Sequence, residues 1–574
     1  MPQTSSLTKK DDTINGTRFW AIFTALSFTN LLAGLEGSIA ATALPSVVED
    51  LKAGDNYVWI VNGYMLTYTA FLPLIGQASS VLGRRWPTIG SIAIFILGSS
   101  ISGGAQSTST IIAGRLIQGI GAAGITALTQ VIVSDLVSIR DRGSYIGLVY
   151  AVAGVGSALG PPVGGAIVQY GSWRWIFLIS VPIGAVSLVL HLIFLHIVPI
   201  KKDGENYTMM EKLVGGIDWL GNLILVGSVV SILIALSWAD TRYSWSSWQI
   251  ILPLILGFLG MAAFFVYEGS ALCAKMCPRG SPTMPPRMFA NRTSFVALVS
   301  TFLAAMLTMW RIYFVPVYLQ SVLLDSPARS GVLLLPTMLV GMPAAIISGQ
   351  VLSRFGRYKP IHLFGFTVAT LASGLYINFD RDSSLAEVVL YQIVAAIGGG
   401  CLITTMLTAV QASHPPADTV AATSTWTFIQ AFGGVWGLTI PAVIFNSQFD
   451  SRIGTITDEA VREALGGGDA YSHVSASYIS SLAPDLRDEV VGAYLGALKI
   501  VWAVCLGFNV LGAVLVAFER EITLSETVES DYGIKKDGVQ LESLGVSEHS
   551  LIASESQVQL RDPAGVSTET VQTL

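Results

Sequence analysis

Fourteen apolar stretches, each long enough to cross a bilayer, dictate what this 574-residue chain can become. A bilayer core takes about 20 apolar residues of helix. Within it every backbone N–H and C=O must find a partner inside the segment, so stretches of this length become helices. They cover residues 19–44, 57–81, 87–105, 110–134, 144–168, 173–199, 217–239, 248–268, 293–322, 328–353, 360–379, 385–412, 419–446 and 493–519. Composition agrees: 52% of residues are hydrophobic and 12% charged, against about 25% charged in soluble chains. The fold class is therefore all-α and polytopic. A water-soluble enzyme is disfavoured, and a thinly spread net charge of −6 supports no nucleic-acid partner.

An even number of spans puts both termini on one side, and lysine and arginine decide which. With the termini in the cytosol, the cytosolic segments hold 21 of these residues and the outer side eight, counting Arg174 and Arg329 at the outer edges of their spans. Both ends are therefore placed inside. Residues 1–18 form a polar arm leading into an uncleaved first span. Six helices (19–199) precede a linker and inserted two-helix hairpin (200–268). A cytosolic linker (269–292) leads to six more helices (293–519), which carry a long outer loop at 447–492. Within that loop Asp458 to Leu465 reads as a short amphipathic helix. Residues 520–574 are rich in Ser, Glu and Thr and read as a disordered cytosolic tail. The sequons at Asn15, Asn206 and Asn291 fall on the cytosolic side and are expected to stay unglycosylated.

The fifth span carries an unusual glycine run: Gly147, Gly156, Gly160, Pro161, Gly164 and Gly165. Gly156, Gly160 and Gly164 recur every four residues and share one helix face. Such a face admits a second helix almost to backbone contact, and Pro161 removes one helical hydrogen bond. The run reads as a bearing and seal between moving halves. A second signature is internal. Gly76-Gln77, Ser80 and Gly83-Arg84 close span two, and Gly349-Gln350, Ser353 and Gly356-Arg357 close span ten at identical spacing. Parallel repeats of this kind build several transporter folds, with the site at the repeat interface.

These motifs together carry a family resemblance. Gly76, Ser80, Gly83, Arg84 and Arg85 resemble the cytosolic loop motif of the major facilitator superfamily. Arg115, Gln118, Gly119 and Gly121 look like its fourth-helix motif, and the run at 147–165 is similar to its antiporter motif. Leu35-Glu36-Gly37-Ser38 through Pro45 resembles the first helix of the fourteen-helix drug:proton antiporter branch, and Asp218-Trp219-Leu220-Gly221 also looks like that branch. Pro285-Pro286-Arg287 and Gly356 to Pro360 resemble fungal members. The resemblance implies the facilitator fold, as 6+2+6 helices. It also implies an acidic latch residue at position 80, where this chain has serine.

Charges inside a bilayer cost about 2.5–3.5 kcal/mol on the insertion scale and need partners or water. Glu36 and Arg115 lie at similar depth. The resemblance makes their helices neighbours, which nominates the two as a proton-coupling pair. Arg311 either attracts an anionic substrate or snorkels outward. Asn62, Tyr64, Thr67, Gln118, Tyr313 and Gln392 are further candidates for a substrate cavity. Cys273 and Cys277 form a lone C-x-x-x-C with no nearby His, so no metal site is expected. Asp218 and Glu268 read as interfacial anchors. No G-x-x-x-x-G-K-[ST] occurs, which leaves an ion gradient as the energy source, with no cofactor.

The resemblance therefore implies a proton-driven efflux pump for a drug, toxin or secondary metabolite. It is expected as a monomer in the plasma membrane, with a vacuolar or other internal membrane as the alternative. Two other readings stay open: a proton-coupled transporter of an amino acid or iron chelate, and a transport-silent sensor signalling through the tail.

Overall fold

The structure is a computed structural model that describes residues 16–52, 57–199, 208–239, 243–278, 282–467, 469–471, 474–525 and 532–534. Asn15 and Asn206 lie outside them. Among the described residues the apolar stretches fold as fourteen helices long and apolar enough to cross a membrane. They are α1 (Thr17–Leu51), α2 (Tyr57–Leu82), α3 (Arg85–Gly103), α4 (Thr108–Leu136), α5 (Arg142–Tyr170) and α6 (Arg174–Phe194); α7 (Trp219–Trp238) and α8 (Trp248–Glu268); and α9 (Arg292–Ser321), α10 (Arg329–Phe355), α11 (Lys359–Ile377), α12 (Leu385–Ala412), α13 (Thr419–Asp450) and α14 (Pro484–Ala517). Side-chain caps set several starts: Ser107 accepts from the Thr110 N–H, Asn291 from Thr293, and Ser384 forms a capping box with Glu387.

The two six-helix halves repeat one packing scheme. In the first, α1 packs on α5, and α2 and α3 on α4; in the second, α9 packs on α13, and α10 and α11 on α12. The hairpin α7–α8 rests on α2. The repeated loop motif is visible in the backbone. Gly83 and Gly356, at matching positions, both take left-handed φ values, +79° and +67°, a conformation glycine adopts without steric cost.

We call the side that carries the start of α1 proximal and the other distal. The halves meet at the proximal ends of their helices. Gly349 on α10 lies against the backbone of Gly143 on α5, and Gly76 on α2 lies against Ser424 on α13. The Arg140 guanidinium donates to the carbonyls of Ser353 and Arg354, and the Ser353 hydroxyl donates to Asp141. Arg142 donates to Gln411 Oε1 at 3.0 Å, and Gln411 donates to Ser134 Oγ at 2.8 Å. The start of the tail braces the same face. Arg520 N–H donates to Thr293 Oγ1 at 3.1 Å, the Tyr358 N–H to Glu521 at 3.0 Å, and Arg140 N–H to the Ser525 carbonyl at 3.3 Å. Residues 520–525 thus belong to the packed structure rather than to a free tail.

Three expectations change. First, α13 runs to Asp450 and α14 starts at Pro484, so the distal loop is shorter than 447–492. Proline at the first helical position and a charged first turn start α14 before its apolar stretch does. The short helix appears as Glu459–Leu465, capped by Asp458. Second, the glycine face of α5 does not lie between the halves. Gly156 packs on the Leu31 carbonyl and Gly160 on Ser38 and Ile39, all on α1. Gly147 is the residue of the run that faces the second half, at Ala345 and Ile346. Gly164 is buried, Gly165 has open space, and α5 continues unbroken through Pro161. Third, Asp218 and Glu268 are buried at 0% and 4% exposure rather than interfacial, because the turn after α8 folds over them.

Candidate central cavity and its buried charges

A cavity of about 460 Å³ lies distal to the seal, between the halves. Its wall takes Asn30, Asn62, Tyr64, Tyr68 and Tyr150 from the first half. The second half supplies Thr308, Tyr313, Trp426 and Gln430, and α7 closes one side with Leu236 and Ser237. Among the described residues no charged side chain lines it. Asn62 is turned to Ser237 Oγ at 3.0 Å, tying α2 to α7. At the proximal floor Gln130 donates to the Tyr150 hydroxyl at 2.8 Å, which reaches Gln430 across the halves at 3.5 Å.

Three expected cavity residues, Asn62, Tyr64 and Tyr313, are in the wall; the others stand behind it. Thr67 donates to the Leu116 carbonyl at 2.8 Å and closes the α2–α4 contact. Gln392 accepts from Thr337 Oγ1 and donates to the Leu333 carbonyl, both inside the second half. Gln118 joins the buried charges described next. Asn30, Tyr68, Tyr150, Thr308 and Gln430 escaped sequence reasoning. Each is a single polar or aromatic residue in an apolar helix, and spacing does not tell which side of the helix faces the gap.

Glu36 and Arg115 meet. Arg115 Nη1 lies 2.8 Å from Glu36 Oε1, with the two side chains 3% and 0% exposed. The same nitrogen donates to Gln118 Oε1 at 2.6 Å, and Nε donates to the Ile60 carbonyl at 3.0 Å. Ser180 on α6 donates to Glu36 Oε2 at 2.7 Å, and Gln118 donates to Ser99 on α3 at 2.7 Å. The pair is thus gripped by five helices of one half. Its guanidinium sits 4.5 Å from the centroid of the Tyr64 ring, and Tyr64 is itself a cavity wall. The charges therefore stand one ring behind the cavity, in contact with it through a cation–π face.

The loop motif is completed from an unexpected position. Ser80 is exposed and donates to the Gln77 carbonyl at 2.7 Å. Arg84 pairs instead with Asp135 at the proximal end of α4, Nε to Oδ2 2.7 Å, and also donates to the Ser79 carbonyl at 3.0 Å. Arg85 donates to the Leu192 carbonyl at 2.9 Å. Gln77 carries the motif to the inserted hairpin, accepting from Asn222 at 2.8 Å and from the Asp218 N–H at 3.2 Å.

One group of metal-type donors converges among the described residues: Asp218, Glu268 and Cys273, within 4.8 Å of one another. Both carboxylates accept hydrogen bonds, although Glu268 Oε2 is buried without a partner. Asp218 Oδ1 accepts from Gly221 N–H and Tyr267 OH, and Glu268 Oε1 accepts from the N–H groups of Thr283 and Met284. Burial and then the Asp218 charge push the Cys273 thiol up to about 12. Through these hydrogen bonds the set clasps the turn after α8 to the base of the hairpin.

Two pseudo-equivalent helical halves, closed at one end around a central cavity, define a membrane transport protein. Residues 26–438 match the Major Facilitator Superfamily, and the chain belongs to that family. It is 45% identical over 519 residues to the MFS-type transporter gkaD of Penicillium citrinum, covering 90% of this chain and 87% of that one. It is 41% identical to the efflux pump FUS6 of Gibberella fujikuroi and to the MFS efflux transporter aclA of Aspergillus oryzae, each covering 91% of this chain and 92% of the relative. The fold is similar to a crystal structure of the human organic anion transporter MFSD10 (TETRAN), with a TM-score of 0.55 at 15% identity, covering 88% of this chain and all of that one. It is also similar to a double Trp mutant of XylE, with a TM-score of 0.54 at 13% identity over 88% and 96% of the two chains.

Proposed function

We propose that this protein exports a small, largely apolar organic compound, such as a drug, toxin or secondary metabolite, in exchange for protons. It acts as a monomer in the plasma membrane, without a cofactor and without catalysing a reaction, and its proximal face is the cytosolic one. The observation that carries the reading is the uncharged, aromatic-rich cavity, backed through Tyr64 by the Glu36–Arg115 pair. A cavity of this volume suits a drug-sized molecule. The basic proximal segments support the orientation, and relatives named as efflux pumps support the direction. The seal at the proximal ends corresponds to the outward-facing state of an alternating-access cycle. Protonating Glu36 removes the charge that holds Arg115 and releases that guanidinium toward Gln118 and Tyr64. Proton uptake then changes the cavity wall.

Purified protein in vesicles with an imposed pH gradient tests this, with a lipophilic dye as the transported probe. Glu36→Gln is expected to keep dye binding and lose gradient-driven accumulation. Full accumulation by that variant would remove Glu36 from the coupling.

A further inference from the structure

Four arginines are buried among the described residues, and three are compensated. Arg84 is paired with Asp135 and Arg115 with Glu36. Arg142 donates to the carbonyls of Val137 and Ser134 and to Gln411. Arg311 is different. It is 7% exposed, so it does not snorkel to an interface. Its one hydrogen bond runs from Nη2 to Thr308 Oγ1 at 3.3 Å, and Nη1 is buried without a partner. No carboxylate among the described residues lies within ion-pair reach of it. The neighbours that feel its charge, Tyr376 on α11 and Cys505 on α14, bring no acid.

A guanidinium stays protonated throughout the accessible pH range, and an unpaired charge in this setting is costly. Thr308 and Gly399 both line the cavity, and Arg311 stands directly behind them. A Cβ placed on Gly399 would sit 3.4 Å from Arg311 Nη2, so the absent side chain leaves a window between the cavity and the guanidinium. The cavity wall itself offers an anion no other formal positive charge.

We infer that Arg311 is the counter-ion for an acidic substrate. The transported compound carries an ionised group, such as a carboxylate or an acidic enol, that reaches Arg311 through the Gly399 window while its apolar body fills the cavity. This rests on the reading of the cavity as the substrate site, and it narrows that reading to organic acids.

The test uses the full chain in lipid nanodiscs and a panel of drug-sized aryl carboxylic acids with the methyl ester of each. Binding is followed by tryptophan fluorescence, for which Trp426 in the cavity wall is a reporter. Acids are expected to bind about tenfold or more tightly than their esters, as charge-assisted pairing predicts. Arg311→Gln should bring the acids down to the level of the esters and leave the esters unchanged. Arg311→Lys, which keeps the charge, should retain part of the preference. Because Arg311→Gln deletes an unpaired buried charge, it should not lower folded yield. Equal affinity for acid and ester in the native protein, or a preference that survives Arg311→Gln, overturns the inference. Esters that bind while acids do not would sink it and keep the transport reading. Binding of neither class would sink both.

Discussion

Glu36 and Arg115 are each too costly to bury alone, and their energetic value lies in being buried together. Removing one partner of a buried pair strands the other charge, which costs about 3–5 kcal/mol. Arg115→Met is therefore expected to lower stability by about that amount, because it strands Glu36 and also removes the guanidinium from Tyr64 and Gln118. Thermal unfolding of the purified variant in detergent measures this, and a midpoint matching the native protein would show that the pair is not held as described. The pair was legible in the sequence as two charges at matching depth. Its supporting hydroxyls, Ser180 as donor to Glu36 and Ser99 as acceptor from Gln118, were not, since a serine in an apolar helix ordinarily bonds its own preceding turn. Asp135, a carboxylate at the end of an apolar span, takes the role in pairing Arg84 that the family pattern would give to an acid at position 80.

The helix α5 does two jobs along its length, and glycine serves both. Its distal half seats α1: side chains at Gly156 and Gly160 would strike Leu31, Ser38 and Ile39. Its proximal half meets α10, where a Cβ on Gly147 would lie 3.2 Å from the Ala345 carbonyl. The two sites should respond differently to the same substitution. Gly156→Leu is expected to abolish folded protein, because a backbone-to-backbone contact within one half cannot move aside. Gly147→Leu should fold, because the contact it breaks is one that opens during the cycle, and it should hold the proximal side open. Gel-filtration yield separates the first variant from the second. Thiol labelling of a cysteine placed at Ser348, which is buried beside α12 in the sealed state, reads the opening. The periodicity identified the smooth face of α5 correctly but not its partner, because a small-residue stripe records close approach and says nothing about which helix approaches.

At the scale of the whole molecule, polar contacts join the halves in the sealed state, alongside close glycine packing and an apolar cluster that links Leu66 and Ala70 of α2 to Phe428 of α13. Arg140 and Asp141 reach Ser353 and Arg354, and Arg142 and Gln411 bridge the same gap. Seals of this kind are easy to bias, since each hydrogen bond contributes about 0.5–1.5 kcal/mol net. Arg140→Ala is expected to shift the population toward the proximally open state by up to about tenfold. Spin-label distances across α5 and α10 would report it, and an unchanged distribution would mean that the glycine contacts alone close this face. The tail takes part as well, since Ser525 accepts from the Arg140 N–H. Composition set residues 520–574 apart as one segment, yet its first six residues fold against α9 and α11, because backbone hydrogen bonding can hold a polar strand that buries little apolar area.

From sequence alone came the fourteen spans, the two repeated halves, the family and the two charges worth pairing. All of these follow from rules local to a segment: the length of an apolar run, the spacing of glycines, the cost of a charge in lipid. The tertiary structure supplied what depends on which faces meet. It placed the seal at the proximal ends and moved the glycine stripe from the inter-half boundary to α1. It set Thr67, Gln118 and Gln392 behind the cavity wall and left Arg311 buried with its charge unanswered. A helix wheel gives directions around one axis, and only the packing of all the axes decides which direction is cavity, which is protein and which is lipid.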